Sequence, residues 1–430
     1  MSLTTTLARA RLALGLALSG FAALAATTSP APANAQTIRF QDWRLAEEPA
    51  GPSLTRMIDD FGKANPAIKV EPEPVSVRDK VIKFITQARG GSAPDVVRVL
   101  TTDIPSFQAM GALLDLEPLV AKAGGKAFKD QYSAFLINAA TVGGKLYCVP
   151  NEGDAFVLYI NTRLWKDAGL DPDKPPTTFA DLENANRALA KPSSGRYAFG
   201  MLGEPAIAAI WMQSWFTAHG SDFFNADYTD TLIDSPKGIE AFKFYTGMFT
   251  KDKAVPPGPT EVDYAAQVNL FAQEKVAYIQ GPFATKGGIL AANPKLASVL
   301  RAIPFPGTRA TAGRGTVYCV SKTSKSPEAA FKLIEWLNSD ENGLRFFREA
   351  SMVPAKKSAL AKINVDADPI ARVVIREAIP AAKSYPVFAG WPKAKTLLDD
   401  ALASTLLGRT EPEAAMKNAA KEIRGVLSAK

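Results

Sequence analysis

Residues 37–99 decide the fold: TIRFQDWRLAEEPAGPSLTRMIDDFGKANPAIKVEPEPVSVRDKVIKFITQARGGSAPDVVRV. Thr37-Ile38-Arg39-Phe40 opens as a strand. From Pro52 to Lys63, Leu54, Met57, Ile58 and Phe61 recur at helical spacing, and Gly62 and Pro66 end the run. Ile68-Lys69-Val70 is a second strand. Val77 to Arg89 predicts a second helix, with Val81, Phe84, Ile85 and Ala88 on one face and Gly90-Gly91 as its stop. Ala93-Pro94 then leads into a third strand, Asp95-Val96-Val97-Arg98-Val99. A β-α-β-α-β order specifies a mostly parallel sheet covered by helices.

The middle of the chain is richer in helix. Thr177-Thr178-Phe179-Ala180-Asp181 predicts a capped helix start, and Ser235-Pro236 and Ser326-Pro327-Glu328 place a capping Ser before Pro at the first helical position. Val255 to Pro259 holds three prolines and reads as a loop. No internal repeat is present.

The chain has 430 residues, 47% hydrophobic and 22% charged, which is ordinary globular composition. At roughly 100–200 residues per domain it has room for two or three. The single histidine, His219, excludes zinc sites of the usual two- or three-His kind. It also forces any Ser-His-Asp or Cys-His chemistry through one residue, whose place before the Gly220 turn reads as structural. Asp222, Asp227 and Asp230 lack the alternating oxygens and glycine of a calcium loop. No metal and no cofactor are expected. Lys and Arg are scattered among acids, without a basic run interleaved with aromatics, so nucleic acid is not an expected partner.

Residues 1–35 read as a signal peptide: Arg9 and Arg11 without an acid, an apolar run from Leu12 to Ala26, and Ala33-Asn34-Ala35 as the cleavage site. An anchor helix is the other reading, but the run is shorter than the ~20 residues a span needs and ends in Pro30 and Pro32. With no cysteine near the cleavage site there is no lipid attachment point, and an unanchored periplasmic protein is expected. In that oxidising space Cys148 and Cys319, both in strand-like text, either pair or stay as buried thiols.

Several blocks, in order, carry a family resemblance. Gly90-Gly91-Ser92-Ala93-Pro94-Asp95-Val96-Val97 is similar to a "G-x-x-P-D-V" strand entry, and Gly111-Ala112-Leu113-Leu114-Asp115-Leu116 to a "G-x-L-x-x-L" turn. Gly144-Lys145-Leu146-Tyr147-Cys148-Val149-Pro150 resembles "G-K-x-Y-G-x-P", with Cys148 where Gly is usual. Leu158-Tyr159-Ile160-Asn161 with Ala168-Gly169-Leu170, the Phe271 to Phe283 segment, Gly313 to Lys322 and Ser326-Pro327-Glu328-Ala329-Ala330 follow suit. Together they resemble family 1 of the extracellular solute-binding proteins of ABC importers, the maltose- and glycerol-phosphate-binding type, over nearly the whole mature chain.

That resemblance implies the type II periplasmic-binding-protein fold: two α/β lobes joined by crossover strands, closing by hinge motion on a ligand in the cleft. Residues 36–149 with 320–353 would form the N-terminal lobe, and 150–319 with 354–430 the C-terminal lobe. The cysteine strands fall at the two main crossovers, so a Cys148–Cys319 bridge would fix the hinge. A monomer is expected, handing its solute to membrane permease subunits.

A sugar site wants aromatic platforms and planar polar groups, and ligands of open α/β sheets lie beyond the carboxyl ends of strands. The candidates at such ends are Asp42, Trp43 and Arg44, then Thr102 and Asp103 beside Thr101, then Glu152 and Asp154 after the crossover. Trp211 and Trp215, four apart, share a face if helical. The resemblance puts an aromatic near them in the cleft and lets Phe283 replace a stacking Trp. Arg314, between Gly313 and Gly315, offers a bidentate fork to a hydroxyl, carboxylate or phosphate. Tyr385, Phe388 and Trp391 lie on the last long loop. The function expected is capture of a sugar or sugar-like solute without chemistry. The alternatives are an exported glycoside hydrolase built on two carboxylates, or the same fold taking an anionic, phosphorylated or amine ligand.

Overall fold

The computed structural model describes residues 36–76, 79–205 and 207–428. The leader reading therefore falls outside the described residues. Among the described residues, twelve strands form three sheets: β1 (Gln36–Asp42), β2 (Ile68–Pro74), β3 (Val96–Leu100), β4 (Thr141–Val142), β5 (Lys145–Leu146), β6 (Cys148–Ala155), β7 (Val157–Asn161), β8 (Tyr197–Gly200), β9 (Val276–Gly281), β10 (Leu300–Ile303), β11 (Thr311–Val320) and β12 (Ala382–Ser384).

The first sheet is the one residues 37–99 specify. β1 lies between β2 and β3, parallel to both. The helix Ala50–Ala64 connects β1 to β2 and buries Leu54, Met57, Ile58 and Phe61. The helix Lys80–Arg89 connects β2 to β3 and buries Phe84. A strand order of 2-1-3 makes the β1/β3 boundary a switch point, where the two connections leave in opposite directions and open a crevice at the strand ends. Beyond β3 the sheet turns antiparallel: β11 pairs with β3 and, on its other edge, with β6. β12 pairs in parallel with the start of β11, over Thr311–Gly313.

The second sheet runs β10-β7-β9-β8. β7 is buried on both faces and alternates with a period of two. Leu158 and Ile160 enter one apolar cluster with Trp215, Phe242 and Leu402; Val157 and Tyr159 enter another with Phe271, Ile279 and Val374. Helices thus cover both faces. A third cluster gathers Phe40, Phe61, Val97, Val149, Tyr318 and Ile334 around the first sheet. Two α/β lobes result, joined by crossover strands.

Two of the three expected starts carry their capping bond, whereas Ser326, before the helix Pro327–Leu337, makes no side-chain capping bond. Thr178 and Asp181 form a reciprocal capping box at Phe179–Leu189. Ser235 Oγ accepts from Gly238 N–H, with Pro236 at the first helical position.

The β6–β11 pair is the crossover ribbon. Cys148 lies opposite Cys319, and a disulfide with a Cα–Cα distance of 4.2 Å joins them. The register then slips by one residue between Thr316 and Val317. Past the bulge, Glu152 faces Thr316, Gly153 faces Gly315 and Asp154 faces Arg314. Alternation along the pair puts Glu152, Asp154, Arg314 and Thr316 on one face of the ribbon. The two glycines fall on the other, where Leu136 of the helix Ala134–Ala139 packs.

Candidate functional site

The polar face of the ribbon meets the end of β1. Asp42 is fully buried there; its carboxylate accepts the Arg44 N–H at 2.8 Å and so starts the 3-10 turn Trp43–Ala46. It also receives Arg98 Nη1 at 3.3 Å and Tyr318 Oη at 3.1 Å. Arg98, on β3, reaches Glu152 Oε1 at 2.5 Å and donates to Thr316 Oγ1 at 2.7 Å. Arg44 pairs with Glu47 and, at 3.4 Å, with Glu152. Four strands, β1, β3, β6 and β11, thereby converge on one buried network of alternating charge.

Electrostatics separates its carboxylates. Burial pushes Glu152 up, but Arg98 and then Arg44 and Arg314 outweigh it and hold the carboxyl down at about 2. Burial also pushes Asp154 up, and there Arg314 and two backbone N–H groups only partly oppose it, leaving the carboxyl at about 6. Asp154 accepts from Phe283 N–H at 2.9 Å and from Ala155 N–H at 2.8 Å, tying the ribbon to the loop after β9. Asp42 is raised by burial against the pull of Arg98.

Beside this network stands an aromatic group. Phe156 follows Asp154 on the chain; its ring lies 5.0 Å from Trp211 and 6.5 Å from Tyr385, centroid to centroid. Tyr264 lies 6.0 Å from Trp211 and hydrogen-bonds Thr285. Arg314 and Asp154 are both within electrostatic reach of Tyr264 and Tyr385. Among the described residues, buried Trp211 Nε1 and Tyr385 Oη have no hydrogen-bond partner.

Asp42, Arg44, Glu152, Asp154, Arg314, Trp211 and Tyr385 are thus gathered in one place, and the other sequence candidates are not. Trp43 is no open platform: it is 3% exposed, with Arg98 5.2 Å and Lys80 5.5 Å from its ring. Thr102 lies in the 3-10 turn Thr101–Asp103, while Asp103 is spent on Lys80 and on the Leu100 N–H. Trp215 lies in the lobe interior, donating to Gln280 and packed on Phe199 and Phe305. Phe283 stacks on Phe347, and only its backbone reaches the site. Phe388 packs on Phe224 and Tyr228, and Trp391 starts the helix Trp391–Leu406 against Phe223. His219 stacks on Phe179, its ring Nδ1 against Trp215 O.

Sequence reasoning missed Arg98, Phe156 and Tyr264. Arg98 had a signal: one charge inside the apolar run Val96–Leu100 demands a buried partner. Among the described residues no group of three or more His, Cys, Asp or Glu is placed to hold a metal ion, and no helix is long and apolar enough to cross a membrane.

The family model described as "Bacterial extracellular solute-binding protein" matches residues 46–344. A binding protein of Brucella abortus (strain 2308) is 27% identical over 416 residues, covering 95% of this chain and 97% of that protein. The maltodextrin-binding protein of Bacillus subtilis (strain 168) is 26% identical, covering 72% of this chain and 73% of that one. The sn-glycerol-3-phosphate-binding periplasmic protein of Escherichia coli (strain K12) is 28% identical over 53% of this chain and 50% of its own. Among solved structures, an ABC transporter solute-binding protein from Thermotoga lettingae, bound with α-D-tagatose, superposes with a TM-score of 0.81 at 24% identity, covering 91% of this chain and all of that one.

Proposed function

The chain belongs to the bacterial extracellular solute-binding protein family, and from that premise we propose that it is the exported capture subunit of an ABC importer. It takes a sugar or sugar-like solute between its lobes and delivers it to membrane permease subunits without transforming it. The lobes are residues 36–149 with 320–353 and 150–319 with 354–430. The leader is cleaved after Ala35, and the protein acts free in the periplasm.

One observation carries this reading: the network and the aromatic group meet on the ribbon that joins the lobes. Asp42 and Arg44 come from the end of β1 and Arg98 from within β3; Trp211, Tyr264 and Tyr385 pack with the second sheet's apolar clusters. A guest touching both sets binds better when the lobes are together, and only such a difference in affinity drives closure. Relatives named for maltodextrin and for glycerol phosphate support a small polyhydroxy solute. Against hydrolysis stands the state of the two ribbon carboxylates: Glu152 is held by two arginines, and both oxygens of Asp154 already accept backbone N–H groups.

A thermal-shift screen over sugars, polyols and their phosphates tests the reading. A guest at 100 times its Kd stabilises by about 2.7 kcal/mol. Scattering with and without that guest should show contraction, and chromatography should recover it unchanged. Turnover of the guest, or an envelope of fixed dimensions, would overturn the proposal.

A further inference from the structure

The hydrogen-bonding capacity of the site is unevenly spent. Its carboxylates are engaged, with Glu152 Oε1 held by Arg98 as an ion pair and not by a hydrogen bond. Asp42 receives the Arg44 N–H, Arg98 and Tyr318. Glu152 is held by Arg98, Arg44 and Thr316. Asp154 receives the Phe283 N–H on both oxygens and the Ala155 N–H on one.

The donors are free. Trp211 Nε1 and Tyr385 Oη sit on residues 8% and 7% exposed and have no partner among the described residues; the buried Arg44 Nε has none there either. The half-buried Arg314 guanidinium makes no hydrogen bond or ion pair among the described residues, with Asp154 across the ribbon as its electrostatic neighbour. Gln213 Oε1 is an unpartnered acceptor, but that side chain is fully buried and held by Ser384 O and Asp222. A sugar hydroxyl donates as well as accepts, so a site for a neutral sugar needs free protein acceptors. This site offers mainly donors, of which only the Tyr385 hydroxyl can also accept, and a buried donor left unpaired is costly.

We propose that the solute carries an oxyanion group, a carboxylate or a phosphate on a sugar or polyol frame, and that Arg314, Tyr385 Oη and Trp211 Nε1 receive it. The inference rests on the cleft being the solute site. Phe156 is a shared ring neighbour of Trp211 and Tyr385, at 5.0 and 6.5 Å between centroids, which keeps the two free donors in one neighbourhood. Tyr264, beside Trp211 and within reach of Arg314, offers a ring to the C–H face of the frame. A planar guanidinium recognises carboxylate or phosphate by two parallel hydrogen bonds, the geometry for which an unpaired arginine is suited. The neighbouring carboxylates do not oppose the guest unchecked. Arg98 and Arg44 balance Asp42 and Glu152, and Asp154, already pushed up to about 6, takes a proton as the anion arrives.

Calorimetry on the full mature chain with matched pairs tests this: glucuronate against glucose, galacturonate against galactose, and glycerol 3-phosphate against glycerol. At least one acid should bind about 10- to 100-fold more tightly than its neutral partner, the span that charged hydrogen bonds supply. The arm in which the gap opens tells carboxylate from phosphate. Arg314→Gln should abolish the gap while the variant stays folded by circular dichroism, and Tyr385→Phe should narrow it. Neutral members binding as well as the acids, or Arg314→Gln keeping the gap, would overturn the oxyanion proposal and leave solute capture standing. No binding by any of the six, together with no shift across a wider solute screen, would overturn both.

Discussion

Gly315→Ala is the sharpest probe of the crossover ribbon. Gly153 and Gly315 face each other across β6 and β11, and the bare backbone they share is filled from behind by Leu136. A Cβ on Gly315 would stand 2.3 Å from Leu136 Cδ2 and 3.3 Å from Glu152 O; one on Gly153 would stand 2.6 Å from Leu136 Cδ1. Neither glycine has a positive φ, so the obstacle is steric and not conformational. Leu136 is 2% exposed inside the first lobe's apolar cluster and has little room to turn away.

Overpacking of this kind costs about 1–3 kcal/mol. Leu136→Ala alone leaves a cavity and costs about 2–5 kcal/mol. In the double variant the new methyl enters the space that Leu136 vacates, so the two losses should not add. A favourable coupling of about 1 kcal/mol or more is expected, since residues in contact couple by about 0.5–3 kcal/mol. Equilibrium unfolding in urea, followed by tryptophan fluorescence and by circular dichroism, reads all four corners of the cycle. Gly315→Ala within about 0.5 kcal/mol of the parent, or strict additivity in the double variant, would refute the notch.

Three further perturbations address the network and the bridge. Asp154→Asn should change the pH dependence of stability. A native carboxyl near 6, against about 3.9 unfolded, holds a proton that the unfolded chain has lost, so stability falls by about 3 kcal/mol as pH rises from about 4 to about 6. The variant should lack that slope, and a profile unchanged in this window would refute the assignment. Glu152 runs the other way: its contribution is full above its unfolded value and is lost as pH falls toward about 2, so Glu152→Gln should flatten the acid limb of unfolding. Arg98→Met should destabilise by about 3–5 kcal/mol, because Asp42 and Glu152 lose their buried counter-charge, and adding Asp42→Asn and Glu152→Gln should recover part of it. Replacing Cys148 and Cys319 by Ala should cost about 2–4 kcal/mol in chemical denaturation, for a bridge closing a separation of 171 residues.

The fold was legible because its evidence is local and repeated. Leu54, Met57, Ile58 and Phe61 point one way only if helical, and they are the residues that the helix Ala50–Ala64 buries. The candidate site was legible where its residues follow from strand ends, as with Asp42 and Arg44, and opaque where their meeting depends on pairing across strands. Nothing near Arg98 in sequence announces that Asp42 lies 56 residues before it and Glu152 well after it, on strands that bring both to its guanidinium.

The tryptophans show the same boundary at finer grain. Trp211 and Trp215 are four apart, and helical geometry does put them on one face of Ala208–Ala218. Yet Gln280 on β9 meets both, donating to Trp211 O and accepting from Trp215 Nε1. One turn of helix is the distance between an indole that ends at the site with its N–H unspent and one that ends in the core with its N–H satisfied. Spacing fixes which residues share a face; only the packed neighbour decides which of them is left with something to offer a guest.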